Sequence, residues 1–329
     1  MVELTRRGAL AAAPAMAAGA AIAPGQARAA APVARQQGPG YYRYRLGDFQ
    51  ITAVTDGVST YPIPEAFVLN VPKSEVGAAL KAAYLDGETI SVPYTPVVVN
   101  TGSRLVVIDT GTGEANLAAS KGSAGQFQGN LKASGIDPSD IDAVVVSHFH
   151  GDHVNGLLSA DGKPAFPKAE ILVPRLEWAF WMDDEEMSRA RKGRMEGLFK
   201  NNRRVFDALG RKVTLYEWDK DVVTGITAVG TPGHSPGHTS YVIASGNSRV
   251  FVQSDVTSVP VLFARNPGWH VNFDQDPQMA EATRRRVYDM LAADRIMVQG
   301  FHYPFPSVAH VEKAGGGYRE VPMPWSPVV

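Results

Sequence analysis

The sequence contains no cysteine. That excludes disulfide frameworks, thiolate metal ligands and cysteine nucleophiles together. Any metal must therefore rest on histidine, aspartate or glutamate. An excess of one charge is also lacking: 32 Lys+Arg against 33 Asp+Glu leave a formal net charge of -1 over 329 residues. Such a balance gives no electrostatic footprint for nucleic acid or for an anionic membrane surface. Long apolar runs are scarce too. The Ala-rich stretch 9–23 is shorter and less apolar than the ~20 residues a membrane span needs. What is present is ample core material, 44% hydrophobic residues, enough for one large domain or two small ones.

The first residues read as an export signal. Thr5-Arg6-Arg7-Gly8 supplies a charged start, residues 9–23 a weakly apolar run, and Ala27-Arg28-Ala29 a small-x-small cleavage site. This predicts a signal peptide over 1–29, of the twin-arginine type that carries prefolded cargo. A flexible leader over 30–40 and a single domain over 41–329 would follow. The expected location is periplasmic or secreted, with no membrane insertion after signal removal.

Strand signals then recur. Phe49-Gln50-Ile51-Thr52-Ala53-Val54 alternates and ends at Asp56-Gly57. Two apolar runs, 97–100 and 104–108, flank the hairpin signal Thr101-Gly102-Ser103. Short helices are predicted over 74–84 and from Phe127 to a stop at Gly135. The stretch 175–209 reads as one long helix. Within it, Asp183-Asp184-Glu185-Glu186 reads as a solvated helix start. Strands follow over 213–216, 226–229, 240–244 and 249–253, then a helix over 278–291 and a last strand over 295–298. Two halves, each strands then helix, predict an α+β chain: an αββα sandwich of two mixed sheets packed face to face with helices outside.

The chemistry concentrates after the β-branched run Val144-Val145-Val146. His148, His150, Asp152 and His153 place four potential ligands in six positions. Alternate side chains of an extended backbone share a side, so His148 and His150 can converge on one point. Asp152 and His153 can reach a second point beside it. Thr231-Pro232-Gly233-His234-Ser235-Pro236-Gly237-His238 forms a turn-rich loop after another strand. It offers His234 as a third imidazole for the first point, and His238 as a hydrogen-bonding neighbour. Asp255 and His302 each follow a strand end. Asp255 has two oxygens and can bridge two cations; His302 can complete the second site. Asp109, also at a strand end, is read evenly as an acceptor for a ligand imidazole or as a turn-forming aspartate.

The ordered set His148-x-His150-x-Asp152-His153, His234, Asp255 and His302, with Asp109-Thr110-Gly111 upstream, resembles the metallo-β-lactamase superfamily. Within it the chain is similar to the methyl parathion hydrolase group. The similarity lies in Gly40-Tyr41-Tyr42-Arg43, Leu46-Gly47-Asp48-Phe49, Phe301-His302 before Pro304-Phe305-Pro306, and Gly317-Tyr318-Arg319. The resemblance implies an exported dinuclear hydrolase, a homodimer, acting on aryl esters, lactones or organophosphate triesters. It further implies Trp181 and Phe199 as aromatics lining the substrate pocket. A third pocket aromatic of that group falls near Asn116-Leu117, where this chain has none.

The expected cofactor is a pair of divalent ions, zinc by ligand type, with iron, manganese and cobalt as further options. The expected chemistry is attack on a small-molecule ester by a hydroxide held between two ions sharing Asp255, with Asp152 beside it. Other readings of the same ligands are a thioester hydrolase of the glyoxalase II kind, an iron redox module and a non-catalytic metal-binding protein.

Overall fold

Val97-Val98-Val99 and Val144-Val145-Val146 are buried at every position. Strands covered on both faces lose the alternation of a half-exposed sheet. The computed structural model describes residues 33–34 and 37–329. The export signal expected over 1–29 lies outside the described residues.

Among the described residues the first half runs β1 (Tyr41–Leu46), β2 (Phe49–Val54), β3 (Gly57–Pro62), α1 (Lys73–Ala82), β4 (Thr89–Tyr94), β5 (Val97–Asn100), β6 (Leu105–Ile108), α2 (Asn116–Ala119), α3 (Phe127–Ala133), β7 (Ala143–Val145), α4 (Gly151–Val154), β8 (Glu170–Pro174), α5 (Arg175–Trp181), α6 (Asp184–Arg189) and α7 (Arg194–Ala208). The second runs β9 (Thr214–Tyr216), β10 (Asp221–Val223), β11 (Ile226–Gly230), β12 (Thr239–Ser245), β13 (Ser248–Ser254), α8 (Pro260–Phe263), α9 (Pro277–Asp294), β14 (Met297–Gly300), β15 (Val308–Ala314) and β16 (Gly317–Pro322).

Seven strands form one sheet in the order β1-β2-β5-β6-β7-β8-β9, and seven form another in the order β10-β11-β12-β13-β14-β15-β16. Both are mixed: β6 to β9 pair in parallel, as do β13 and β14, and the rest are antiparallel. The inner faces meet in one apolar layer, Val97, Val99, Ile108 and Val145 from the first sheet with Ile226, Tyr241, Ile243 and Val250 from the second. The outer face of the first sheet, including Val98 and Val144, packs against Phe127, Trp181, Phe199 and Phe206 of α3, α5 and α7. The outer face of the second packs Phe251, Val298 and Val311 against Val287, Tyr288 and Leu291 of α9. This is the αββα sandwich.

Three expectations need correction. The stretch 175–209 is three helices and not one. Asp183 stops the first by capping α6, accepting the Glu185 and Glu186 N–H groups at 2.7 and 3.0 Å, as side-chain oxygens at N-caps do. Gly193, at φ 99°, turns the chain into α7. The strand expected over 295–298 starts at Met297, because Arg295 takes a left-handed conformation (φ 53°) that ends α9. It is also not the last strand, since β15 and β16 follow it. On either side of α1, β3 and β4 pair as a separate two-stranded sheet. No helix among the described residues is long and apolar enough to cross a membrane.

Candidate metal centre

Parallel strands bring the ligand loops to one edge of the sandwich, as open α/β sheets do at their strand C-terminal ends. β6 leads into Asp109, β7 into His148–His153, β11 into His234–His238, β13 into Asp255 and β14 into His302. Two of these turns are backbone-strained: Asp109 and Ser254 sit at φ 59° and 50°, a region non-glycine residues seldom occupy outside functional sites.

The structure gathers two groups of candidate ligands. His148, His150, His234 and Asp255 form the first; Asp152, His153 and His302 form the second. Asp255 faces both. Its Oδ2 lies 3.2 Å from His234 Nε2 and 3.0 Å from His302 Nε2, while Oδ1 lies 3.2 Å from His153 Nε2. Asp152 Oδ2 lies 3.6 and 3.5 Å from the Nε2 atoms of His153 and His302.

Hydrogen bonds fix which nitrogen each ring offers. His153 Nδ1 donates to Asp109 Oδ2 at 2.8 Å, His234 Nδ1 to Asp274 Oδ1 at 2.8 Å and His302 Nδ1 to the Pro93 carbonyl at 2.8 Å. His148 Nδ1 donates to Ser147 Oγ at 3.0 Å, and that hydroxyl donates onward to Asp109 at 2.7 Å. Four Nε2 atoms are left as bare lone pairs aimed inward, the arrangement that outer hydrogen bonds impose on ligand imidazoles. His150 is reversed: its Nδ1 approaches His148 Nε2 at 3.0 Å and His234 Nε2 at 2.8 Å. Nδ1 has at most one proton to donate, so at least one of these contacts sets lone pair against lone pair unless a cation lies between them. His153 Nε2 and Asp255 Oδ1 are buried without a hydrogen-bond partner, a costly condition that metal ligation relieves. The donor set therefore fits two metal ions.

The protonation tendencies divide: burial pulls His153 and His302 down, but the surrounding carboxylates, Asp255 first, outweigh it and lift both above the usual histidine range. Burial first, then the neighbouring imidazoles, hold His148 and His150 well below the usual histidine range. His234 behaves otherwise: burial pulls it down, but Asp255 and Asp274 outweigh that and lift it to about 9. Burial pushes His238 down to about 3. Its neutral ring donates from Nδ1 to Thr231 and accepts the Asp255 backbone N–H on Nε2 at 3.0 Å. Asp109 and His238 thus stand outside the ligand groups and orient them.

Trp181 and Phe199 require correction as pocket residues. They are 0 and 1 % exposed and belong to the core behind His150. The cleft over the ligands, about 390 Å3, is walled instead by Tyr61, Phe67, Leu198 and Phe273, with Arg194 stacked 5.0 Å above the Phe273 ring. Leu117 is 40 % exposed and outside that wall.

Sequence reasoning missed several groups. Asp274 sits in a loop with no motif, and it also pairs with buried Arg284 at 3.2 Å. Glu177 is a lone carboxylate among aromatics, one helical turn before Trp181; that contrast was a usable signal. Gly233-His234-Ser235-Pro236-Gly237 spells Gly-x-Ser-x-Gly, the pattern of a serine nucleophile elbow. Ser235 is nevertheless 0 % exposed and its hydroxyl donates to Glu177, so it is no exposed nucleophile.

A two-centred His/Asp site at the strand ends of a two-sheet sandwich defines a metal-dependent hydrolase. The chain belongs to the metallo-beta-lactamase superfamily, whose family model matches residues 92–286. Among curated relatives, an N-acyl homoserine lactonase of Bacillus thuringiensis is 22% identical over 247 residues, covering 67% of this chain and 85% of its own length. Among solved structures, AidC, described as a dizinc quorum-quenching lactonase, superposes with a TM-score of 0.80 at 23% identity, covering 87% of this chain and 98% of its own. The hydrolase AbOPH superposes equally, TM-score 0.80 at 27% identity, covering 88% of this chain and 100% of its own.

Proposed function

We propose that this protein is a dizinc hydrolase of lactone and ester carbonyls, with acyl-substituted lactones as its substrate class. The observation that carries this reading is Asp255, placed between two ligand groups at the floor of an apolar cleft. His148, His150, His234 and Asp255 would hold one ion; Asp152, His153 and His302, with Asp255 facing both groups, would hold the second. Imidazole with carboxylate suits zinc, and iron, manganese or cobalt can occupy such ligands too. When bound, the ions supply Lewis acidity and a water ionised near neutral pH.

The chain's own residues do the rest. Tyr61, Phe67, Leu198 and Phe273 wall a space suited to an acyl chain or aromatic ring. Burial, with Asp152 adding to it, pushes the Tyr61 phenol up to about 12. Like any tyrosine, Tyr61 is a protonated phenol at neutral pH and can donate in a hydrogen bond to a substrate oxygen. The lactonases among the relatives support a cyclic ester.

The test is a hydrolysis panel on the purified protein, with metal content measured on the same sample. Acyl-homoserine lactones, dihydrocoumarin, aryl esters and methyl parathion would be set side by side. Lactone turnover should dominate; dominant methyl parathion turnover would reverse the substrate class, and no turnover with two ions bound would reject the reading. Export by the twin-arginine route and a homodimer belong to the same reading. Cell fractionation of an Arg6→Lys, Arg7→Lys double variant and light scattering of the purified protein test them.

A further inference from the structure

Glu177, on α5, is 0 % exposed and has no ion-pair partner among the described residues. A buried carboxylate without a cation is unfavourable unless hydrogen bonds replace its hydration. Here four do. Oε2 accepts the Phe149 N–H at 2.9 Å and Trp181 Nε1–H at 2.7 Å. Oε1 accepts the Ser235 hydroxyl at 2.6 Å and the Gly237 N–H at 2.7 Å.

The donors divide by sheet. Phe149 lies between His148 and His150, past β7 of the first sheet. Ser235 and Gly237 bracket the loop of His234 and His238, past β11 of the second. One oxygen thus grips each half of the sandwich at the point where the first ligand group assembles. The approach is close enough to need glycine: a Cβ at Gly237 would stand 2.4 Å from the Glu177 backbone nitrogen. No oxygen of Glu177 reaches Asp152, His153 or His302 among its hydrogen bonds.

We propose that Glu177 is a positioning residue that sets the spacing of His148 and His150 relative to His234, so that the three-histidine group is preformed for its ion. It acts through Phe149, Ser235 and Gly237. The proposal rests on reading His148, His150, His234 and Asp255 as a metal site.

Glu177→Gln is the informative variant. Its amide keeps the shape, but the NH2 must face either the Phe149 and Trp181 donors or the Gly237 donor. None of these can become an acceptor, so at least one link opposes its partner. The measurement is a stepwise Zn2+ titration of the metal-free full-length protein against a chromophoric chelator, with Co2+ absorption spectra in parallel. Glu177→Gln should weaken the step belonging to the three-histidine group about 10- to 100-fold and alter its Co2+ spectrum, as loss of an outer support does. The other step should stay within about twofold. Asp109→Asn, which holds His153 directly and His148 only through Ser147, should weaken chiefly the other step.

Unchanged constants in a folded Glu177→Gln variant would overturn the proposal. So would a parallel fall of both steps with the melting temperature, which marks a purely structural role. If Glu177→Gln does not fold, Ser235→Ala and Trp181→Phe each remove one donor and keep the carboxylate. Each should weaken the same step severalfold, and no change in either overturns the proposal. A wild-type protein that takes up no metal in this titration would instead reject the metal-site reading itself.

Discussion

His153 donates from Nδ1 to Asp109 at 2.8 Å and faces Asp255 Oδ1 with Nε2 at 3.2 Å. Asp109 also accepts the Ser147 N–H at 2.8 Å and the Ser147 hydroxyl at 2.7 Å. A single carboxylate therefore sets the tautomer of His153 directly and that of His148 through Ser147. Asp109→Asn should weaken metal binding at the Asp152, His153 and His302 group about 10- to 100-fold, with a comparable loss in kcat. Stepwise metal titration beside steady-state kinetics checks this. Wild-type affinity in the variant would mean that Asp109 serves only its turn.

Trp181 and the cleft wall should separate cleanly on substitution. Trp181→Ala opens a void beside Phe180, Phe199 and His150 and should cost about 3–5 kcal/mol of stability. Phe273→Ala and Leu198→Ala remove cleft wall and should raise KM for long acyl substrates while moving the melting temperature far less. Thermal melts and kinetics on all three decide. A raised KM at unchanged melting temperature for Trp181→Ala would restore it to the substrate pocket.

Asp56 gives a pH signature away from the metal centre. It is buried and accepts the Thr112, Gly125 and Phe127 N–H groups and the Thr112 hydroxyl. Burial still dominates and holds its carboxyl above the ordinary 3.8, against those hydrogen bonds. A folded-state pKa raised above the unfolded value means the folded chain binds the proton more tightly. The group's contribution to stability is then complete below 3.8 and declines as pH rises through the raised folded value. Asp56→Asn should remove this dependence, so the stability gap between wild type and variant should narrow with rising pH. Urea denaturation at several pH values measures it; a gap that widens with pH contradicts the assignment.

Arg284 is 2 % exposed and donates to the Val256, Pro267 and Trp269 carbonyls as well as to Asp274. Asp274 in turn holds His234. Arg284→Met leaves Asp274 buried without its cation and should cost about 3–5 kcal/mol. Metal at the three-histidine group should be lost along with it. Denaturation with and without added Zn2+ tests this, and added metal should recover only part of the stability, by mass action.

The candidate ligands were legible because metal chemistry demands rare residue types in tight local order. His148, His150, Asp152 and His153 declare themselves within six positions, and each further ligand follows a strand whose apolar pattern is local. The sandwich was legible for the same reason, since strands buried on both faces leave continuous β-branched runs.

What the sequence by itself determined was the cluster of candidate ligands, the two-sheet sandwich class and the absence of thiolate chemistry. Only the tertiary structure decided what surrounds the ligands. Trp181 and Phe199 sit on helices whose apolar faces look alike whether they line a cleft or fill a core, and packing alone assigned them to the core. Glu177 bonds to Phe149 across 28 residues and to Gly237 across 60, and Asp274 to His234 across 40. Hydrogen bonding at such separations depends on how the two sheets meet, and no local pattern encodes it.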